Sequence, residues 1–280
     1  MSRDLRKIAL TCLVFFAIQL VNSQEKKYGS LTFNKAVNIS GKQRMLTQRM
    51  GKIYLYLLYN PSDFKAKKDL KITKIIFEKQ LSILQKNAGE LKTKNRANTV
   101  SETWSKYKEI VDAAPSKKNA EKVINTNTTM LKQANSLVEA IILESEGSTG
   151  SSSDSYIAEE DAELKSIINK SGRQRMLSQR LALYYFANKP ELKNKKTENV
   201  LKEVFMELDN ALNDLLLSSF NNDRIDNALG EVTVMWENIK ENKEKVFKQG
   251  YNDQEVYTLS NSLTKIFNKI TNLYEKVKIE

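Results

Sequence analysis

Residues 38–50 read NISGKQRMLTQRM and residues 169–181 read NKSGRQRMLSQRL, so that Arg175 follows Arg44 at a separation of 131 positions. The register persists downstream, where Trp104 and Trp236 are 132 apart and Leu131 and Leu263 are again 132 apart. Two blocks kept at one spacing make the chain a tandem duplication, and whatever one copy folds into, the other must fold into as well. Between them, residues 145–155 form a Ser/Gly stretch that cannot bury a core and reads as a linker. The expected segments are therefore a first unit at 28–144, the linker at 145–155 and a second unit at 156–280.

The type of unit follows from what the chain lacks. Three Pro and nine Gly among 280 residues leave few chain breakers, which favours long helices over turn-rich sheets. In the first unit the apolar residues step by three and four through Leu70, Phe77, Leu81 and Leu84, then Val100, Trp104, Tyr107 and Val111, then Val123, Leu131, Ala134, Val138 and Ile141. With the motif helix these make four. The closing seam of the second unit runs through Val256, Leu259, Leu263, Ile266, Ile270, Leu273 and Val277, behind an Asn252–Glu255 capping-box spacing. Pro61, Pro115 and Pro190 fall between helices. The expectation is an all-α chain: two tandem antiparallel four-helix bundles, joined by the linker, with helices of roughly 20 to 28 residues.

Composition also excludes chemistries. The chain has no His and a single Cys, which removes histidine acid–base catalysis, an internal disulfide framework and a thiolate zinc site. No nucleophile–base pair, phosphate loop or cofactor fingerprint is visible, so neither an enzyme nor a metal or cofactor is expected. Arg3, Arg6 and Lys7 precede an apolar run at 8–21 that contains Cys12, a stretch shorter than the ~18 residues of a spanning helix. That pattern predicts a secretory signal at 1–23 and a soluble product that is periplasmic or secreted. The remaining chain keeps 42 Lys+Arg against 33 Asp+Glu. In an exported protein this surplus points to anions or an acidic partner and not to nucleic acid.

Positions three and four away on a helix share a face. Around Arg44 these are Ser40, Gly41, Thr47 and Gln48; around Arg175 they are Ser171, Gly172, Ser178 and Gln179. Val37 and Ile168 continue each stripe, which turns it inward. A buried guanidinium needs a carboxylate, carbonyls or a bound anion, and neither motif contains Asp or Glu. Arg49 and Arg180, beside Met45 and Met176, lie on a second stripe at the margin of core and surface, as flanking cations or surface ion pairs. Lys42 and Arg173 are expected in solvent, and the Lys-rich stretches 65–74 and 189–196 read as solvated turns. Glu159, Glu160 and Asp161 read as a helix N-terminal charge bias. The aromatic clusters Tyr54, Tyr56, Tyr59 and Tyr184, Tyr185, Phe186 read as core packing.

The block N-x-S-G-x-Q-R-M-L-[ST]-Q-R resembles the periplasmic sensing domain of nitrate/nitrite sensor kinases (NarX-like) and the related N-terminal domain of type IV pili methyl-accepting chemotaxis transducers, the PilJ-type family. The resemblance implies four-helix bundles in which one motif arginine from each of two first helices holds nitrate across a dimer interface. Carried over, the ligand arginines are Arg44 and Arg175, with Gly41 and Gly172 allowing close helix approach and Met45 and Met176 lining the pocket. A basic residue preceding the Gly in nitrate sensors is matched by Lys170 but replaced by Ile39 in the first copy. A planar guanidinium fork matches two oxygens of a planar oxyanion at once.

Because one chain carries both motif helices, an intramolecular pseudo-dimer with one shared site stands beside ordinary homodimerisation. The function expected is an exported sensor module that binds a small inorganic anion, nitrate or nitrite, and passes its signal to a membrane sensor or transducer protein. The alternative is a helical scaffold that binds no ligand. An open polar cavity between the motif helices favours the first, and protein partners for both arginines favour the second.

Overall fold

The computed structural model describes residues 27–148 and 155–278. The secretory signal expected at 1–23 lies outside them, as does the middle of the expected linker. A short hairpin pairs β1 (Lys27–Tyr28) antiparallel with β2 (Leu31–Thr32). Gly29 turns it at φ +58°, with Asn87 so close that a Cβ would meet its Oδ1 at 2.5 Å. Tyr28 is fully buried and donates to the Leu84 carbonyl at 2.8 Å, which ties the hairpin to the bundle.

The first copy continues as α1 (Phe33–Tyr59), α2 (Phe64–Asn87), α3 (Leu91–Asp112) and α4 (Lys117–Ser148). The second comprises α5 (Ser155–Ala187), α6 (Lys195–Leu216), α7 (Asp223–Glu241), the five-residue α8 (Lys243–Phe247) and α9 (Asp253–Tyr274). Starts are written in the sequence: Thr32, Asp63, Asn194, Asn222 and Asn252 each accept a backbone N–H of the first turn, and Asn252–Glu255 closes the capping box. Pro61, Pro115 and Pro190 stand between helices. In each copy the first helix packs on the second and last, and the third packs on the last, an antiparallel four-helix ring. The cores match. Trp104 donates to Glu78 Oε1 at 3.1 Å and stacks on Phe77, while Trp236 donates to Asp209 Oδ1 at 2.9 Å and stacks on Phe205.

Three expectations change. Residues 65–74 are no turn: Asp63 caps α2, Ala66 and Leu70 are buried, and the lysines occupy the wet faces of its first turns. Apart from the five-residue α8, helix lengths spread from 19 residues in α7 to 33 in α5. α4 runs through 145–148 because Glu144 accepts the Gly89 N–H and Ser145 is buried over the Ile142 carbonyl. Among the described residues no helix is long and apolar enough to cross a membrane, and no cluster of acidic or sulfur ligands is placed to hold a metal.

Candidate functional site: the arginine pair between the motif helices

The most extensive helix pairing in the molecule joins α1 to α5, the two motif helices. They run parallel and in register, since Gly41 faces Arg175 and, ten residues on, Gly51 faces Leu183. The pairing is close because glycine permits it. A Cβ on Gly172 would lie 2.9 Å from Arg175 Nη2 and 3.7 Å from Arg44 Nη2, and one on Gly41 would lie 3.2 Å and 3.5 Å from the same two atoms. The guanidinium tips therefore approach the glycines more closely than a side-chain atom at either position would comfortably allow.

Both arginines are almost fully buried, at 2 % and 0 % exposure. Each reaches across the seam. Arg44 donates to the Asn169 side chain at 2.7 Å and its carbonyl at 3.3 Å, and to Asn135 Oδ1 of α4 at 2.9 Å. Arg175 donates to the Asn38 side chain at 2.7 Å and its carbonyl at 3.3 Å, and to Asn268 Oδ1 of α9 at 3.0 Å. Asn38 and Asn169 open the two copies of the repeated block, so the arrangement is two-fold symmetric in chemistry as well as position. These oxygens are neutral. Among the described residues no carboxylate forms an ion pair with either arginine, and each Nε–H finds no acceptor. The nearest compensating charges stand one side chain further out, where Asn135 donates to Glu139 at 2.6 Å and Asn38 donates to Glu275.

Burial pushes the Arg175 guanidinium down to about 9, with the Arg44 charge adding to it, and pushes Arg44 down to about 10, with Arg173 adding. Both remain charged at neutral pH. Two cations thus share a dry seam with hydrogen bonds supplied and countercharge withheld.

Residues 30–138 and 156–261 match the type IV pili methyl-accepting chemotaxis transducer N-terminal domain, PilJ, one match on each copy. The chain belongs to the PilJ family. PilJ domains are periplasmic sensing domains of a non-enzymatic signal-transduction family. No curated protein and no solved structure matches the chain.

The other candidate residues of this PilJ pair occupy distinct places. Ser40 and Ser171 bond back to the carbonyls of Val37 and Ile168, within their own helices. Met45 and Met176 are buried. Gln179 donates to Thr264 Oγ1 and the Ser260 carbonyl of α9, whereas Gln48 accepts from Arg180 at 2.9 Å across the seam. Arg180 also lies over the Tyr184 ring, and Arg49 faces Asp69 at 3.9 Å. Arg173 is in solvent beside Glu207, and Lys170 points to Asp214, away from the arginine pair. Lys42 departs from its expected solvation: it is half-buried, and burial together with Arg175 lowers it to about 8. The aromatic clusters pack as core, with Tyr56 joining Phe186 and Tyr257 across the copies.

Sequence reasoning missed the four asparagines and Lys52. Lys52 is fully buried, donates to Ser260 Oγ at 3.1 Å and Asn261 Oδ1 at 2.8 Å, and lies 4.3 Å from the Tyr257 ring centre. Burial holds it well below the usual lysine range. A lysine at the head of the apolar run 53–58, aligned with Leu183 of the other copy, was the available signal.

Proposed function

We propose that this chain is a sensory module that binds one small oxyanion, nitrate or nitrite, between Arg44 and Arg175 of its two PilJ copies. The observation that carries the reading is the pair of buried guanidiniums facing one another without a carboxylate, each with an idle Nε–H. A monoanion seated between them adds the missing charge, and a planar one meets both forks. The asparagines orient the forks, and Gly41 and Gly172 place no side chain between them. The signal then passes to a membrane sensor or transducer partner through the packing of α1 on α5, which the anion favours over any looser arrangement.

The non-binding scaffold is the second reading, favoured by the asparagine oxygens that already occupy the Nη donors. Isothermal titration with nitrate, nitrite, sulfate and chloride separates the two, with Arg44→Gln/Arg175→Gln as control and helix content checked by circular dichroism. Saturable nitrate or nitrite binding at one per chain, lost in the double variant, supports the shared site. Absence of heat with every anion leaves the scaffold.

A further inference from the structure

A groove of about 560 Å³ opens at the far end of the first copy, where α1 ends, α2 begins and α3 gives way to Pro115. Leu57, Leu58, Leu70 and Val111 form its apolar floor, and Lys67, Lys71 and Lys74 stand along one rim. Asp112 is the single acidic residue lining it, and it is paired with Lys74. The volume falls in the ~300–1,000 Å³ range of small-molecule sites. An apolar floor beneath a row of ammonium groups matches a ligand with an apolar body and a negative head.

The second copy shows what closing this groove takes. Asp63 and Asn194, the N-caps of α2 and α6, set an offset of 131, so Lys74 corresponds to Phe205. There α8 folds over the same corner, and Phe247 packs on Phe205 with ring centres 5.3 Å apart. The tryptophan offset of 132 aligns Phe247 with Pro115. Where the second copy has two stacked rings, the first has a lysine and a proline. Beside α8 a cavity of about 20 Å³ remains, bordered by Tyr185 and Val246, and that space suffices for little more than a water molecule.

The surrounding field has the matching sign. Residues 28–144 carry 21 Lys+Arg against 10 Asp+Glu, while residues 156–280 carry 19 against 20, so the positive surplus belongs to the copy with the groove. We propose that the groove is a binding site for a small amphipathic carboxylate, its chain on the leucine floor and its head among Lys67, Lys71 and Lys74. The site is separate from the arginine pair: Leu57 lies about 20 Å along α1 from Arg44 at 1.5 Å per residue.

The test is isothermal titration of the full chain with octanoate, below its micelle concentration, alongside octanol as the neutral chain and acetate as the bare head. Octanoate is expected to bind saturably at one per chain, octanol at least about tenfold more weakly, and acetate not at all. Lys74→Phe, the residue of the second copy, is expected to weaken octanoate at least about tenfold by filling the groove while leaving the nitrate isotherm unchanged. Lys67→Gln/Lys71→Gln is expected to weaken it several-fold, and it decides the matter should Lys74→Phe lose helix content. No saturable octanoate binding, or binding indifferent to both variants, overturns the proposal. Capture of an acidic peptide by a groove that ignores octanoate also overturns it.

Discussion

The seam between the two copies and their outer corners have diverged to different degrees. Around the arginine pair the copies match: Arg44 and Arg175, Gly41 and Gly172, Asn38 and Asn169, each arginine bonded to the opposite copy. At the corners they part, with Lys74 against Phe205 and Pro115 against Phe247. A seam residue is constrained by two copies at once, because a change in one α-helix must be met by its partner across an in-register contact. A corner residue answers only to its own bundle and is free to open a groove or plug one.

Lys52 and Leu183 break this symmetry inside the seam and give the largest expected effect. Lys52 has Ser260, Asn261 and the Tyr257 ring arranged around its ammonium. Leu183 is fully buried against Gly51, whose Cβ position lies 2.5 Å from Leu183 Cδ1. Leu183→Lys is therefore expected to cost about 3 kcal/mol or more, since it buries a charge without acceptors. Lys52→Leu is expected to stay within about 1 kcal/mol, the lost hydrogen bonds being offset by the ammonium no longer desolvated. Urea midpoints of the two variants measure both. Equal losses would show that the acceptors around Lys52 do not matter.

The asparagines sharpen the symmetric side. Asn38→Ala and Asn169→Ala each strip a buried guanidinium of a side-chain acceptor, at a cost of about 1–3 kcal/mol. Asn38 also bonds Asn272 and Glu275, so its loss should sit at the upper end and that of Asn169 at the lower. Thermal unfolding of the two variants tests the order. The proposed anion site further requires that saturating nitrate widen the gap between wild type and variant, because a variant that binds the anion more weakly gains less from it.

Much of this was readable from the residues. The 131-residue repeat, the three-and-four stepping and the placement of the prolines carried the all-α duplication, and the Ser, Gly and Gln neighbours of Arg44 and Arg175 carried their burial. The asparagine partners were not reachable by the same reasoning. Asn38 sits six positions before Arg44, off its helical face, and serves the arginine of the other copy, so its role exists only once α1 lies against α5. Asn135 and Asn268 belong to helices 91 and 93 residues further on. The lysines of 65–74 misled because charge density was read as a turn, although Asp63, Ala66 and Leu70 already carried the cap and the buried face of a helix. Nothing local announces α8, since the two connections are aligned without a net insertion and differ in how far the flanking helices unwind.

Lys42 and Arg173 occupy matching positions and give the smallest effect. Arg173 is in solvent with Glu207, whereas Lys42 is half-buried and lowered to about 8 by burial, with Arg175 and Lys35 opposing its charge and Glu275 supporting it. The unfolded chain holds this proton up to the ordinary lysine value of 10.5. Between pH 8 and 10.5 the unfolded state therefore binds more protons than the folded one, so stability rises with pH in that window, and below pH 8 the cost of the buried charge is fully present. Lys42→Gln is expected to stabilise the chain at pH 7 by about 1 kcal/mol, less than the full linkage because the side chain is only partly withdrawn from water. The advantage should shrink through pH 8 to 10.5 and vanish above it, while Arg173→Gln shows no such trend. Urea unfolding of both variants and wild type from pH 7 to 10.5 measures the difference, and a gain for Lys42→Gln that persists at the alkaline end would trace it to packing and not to charge.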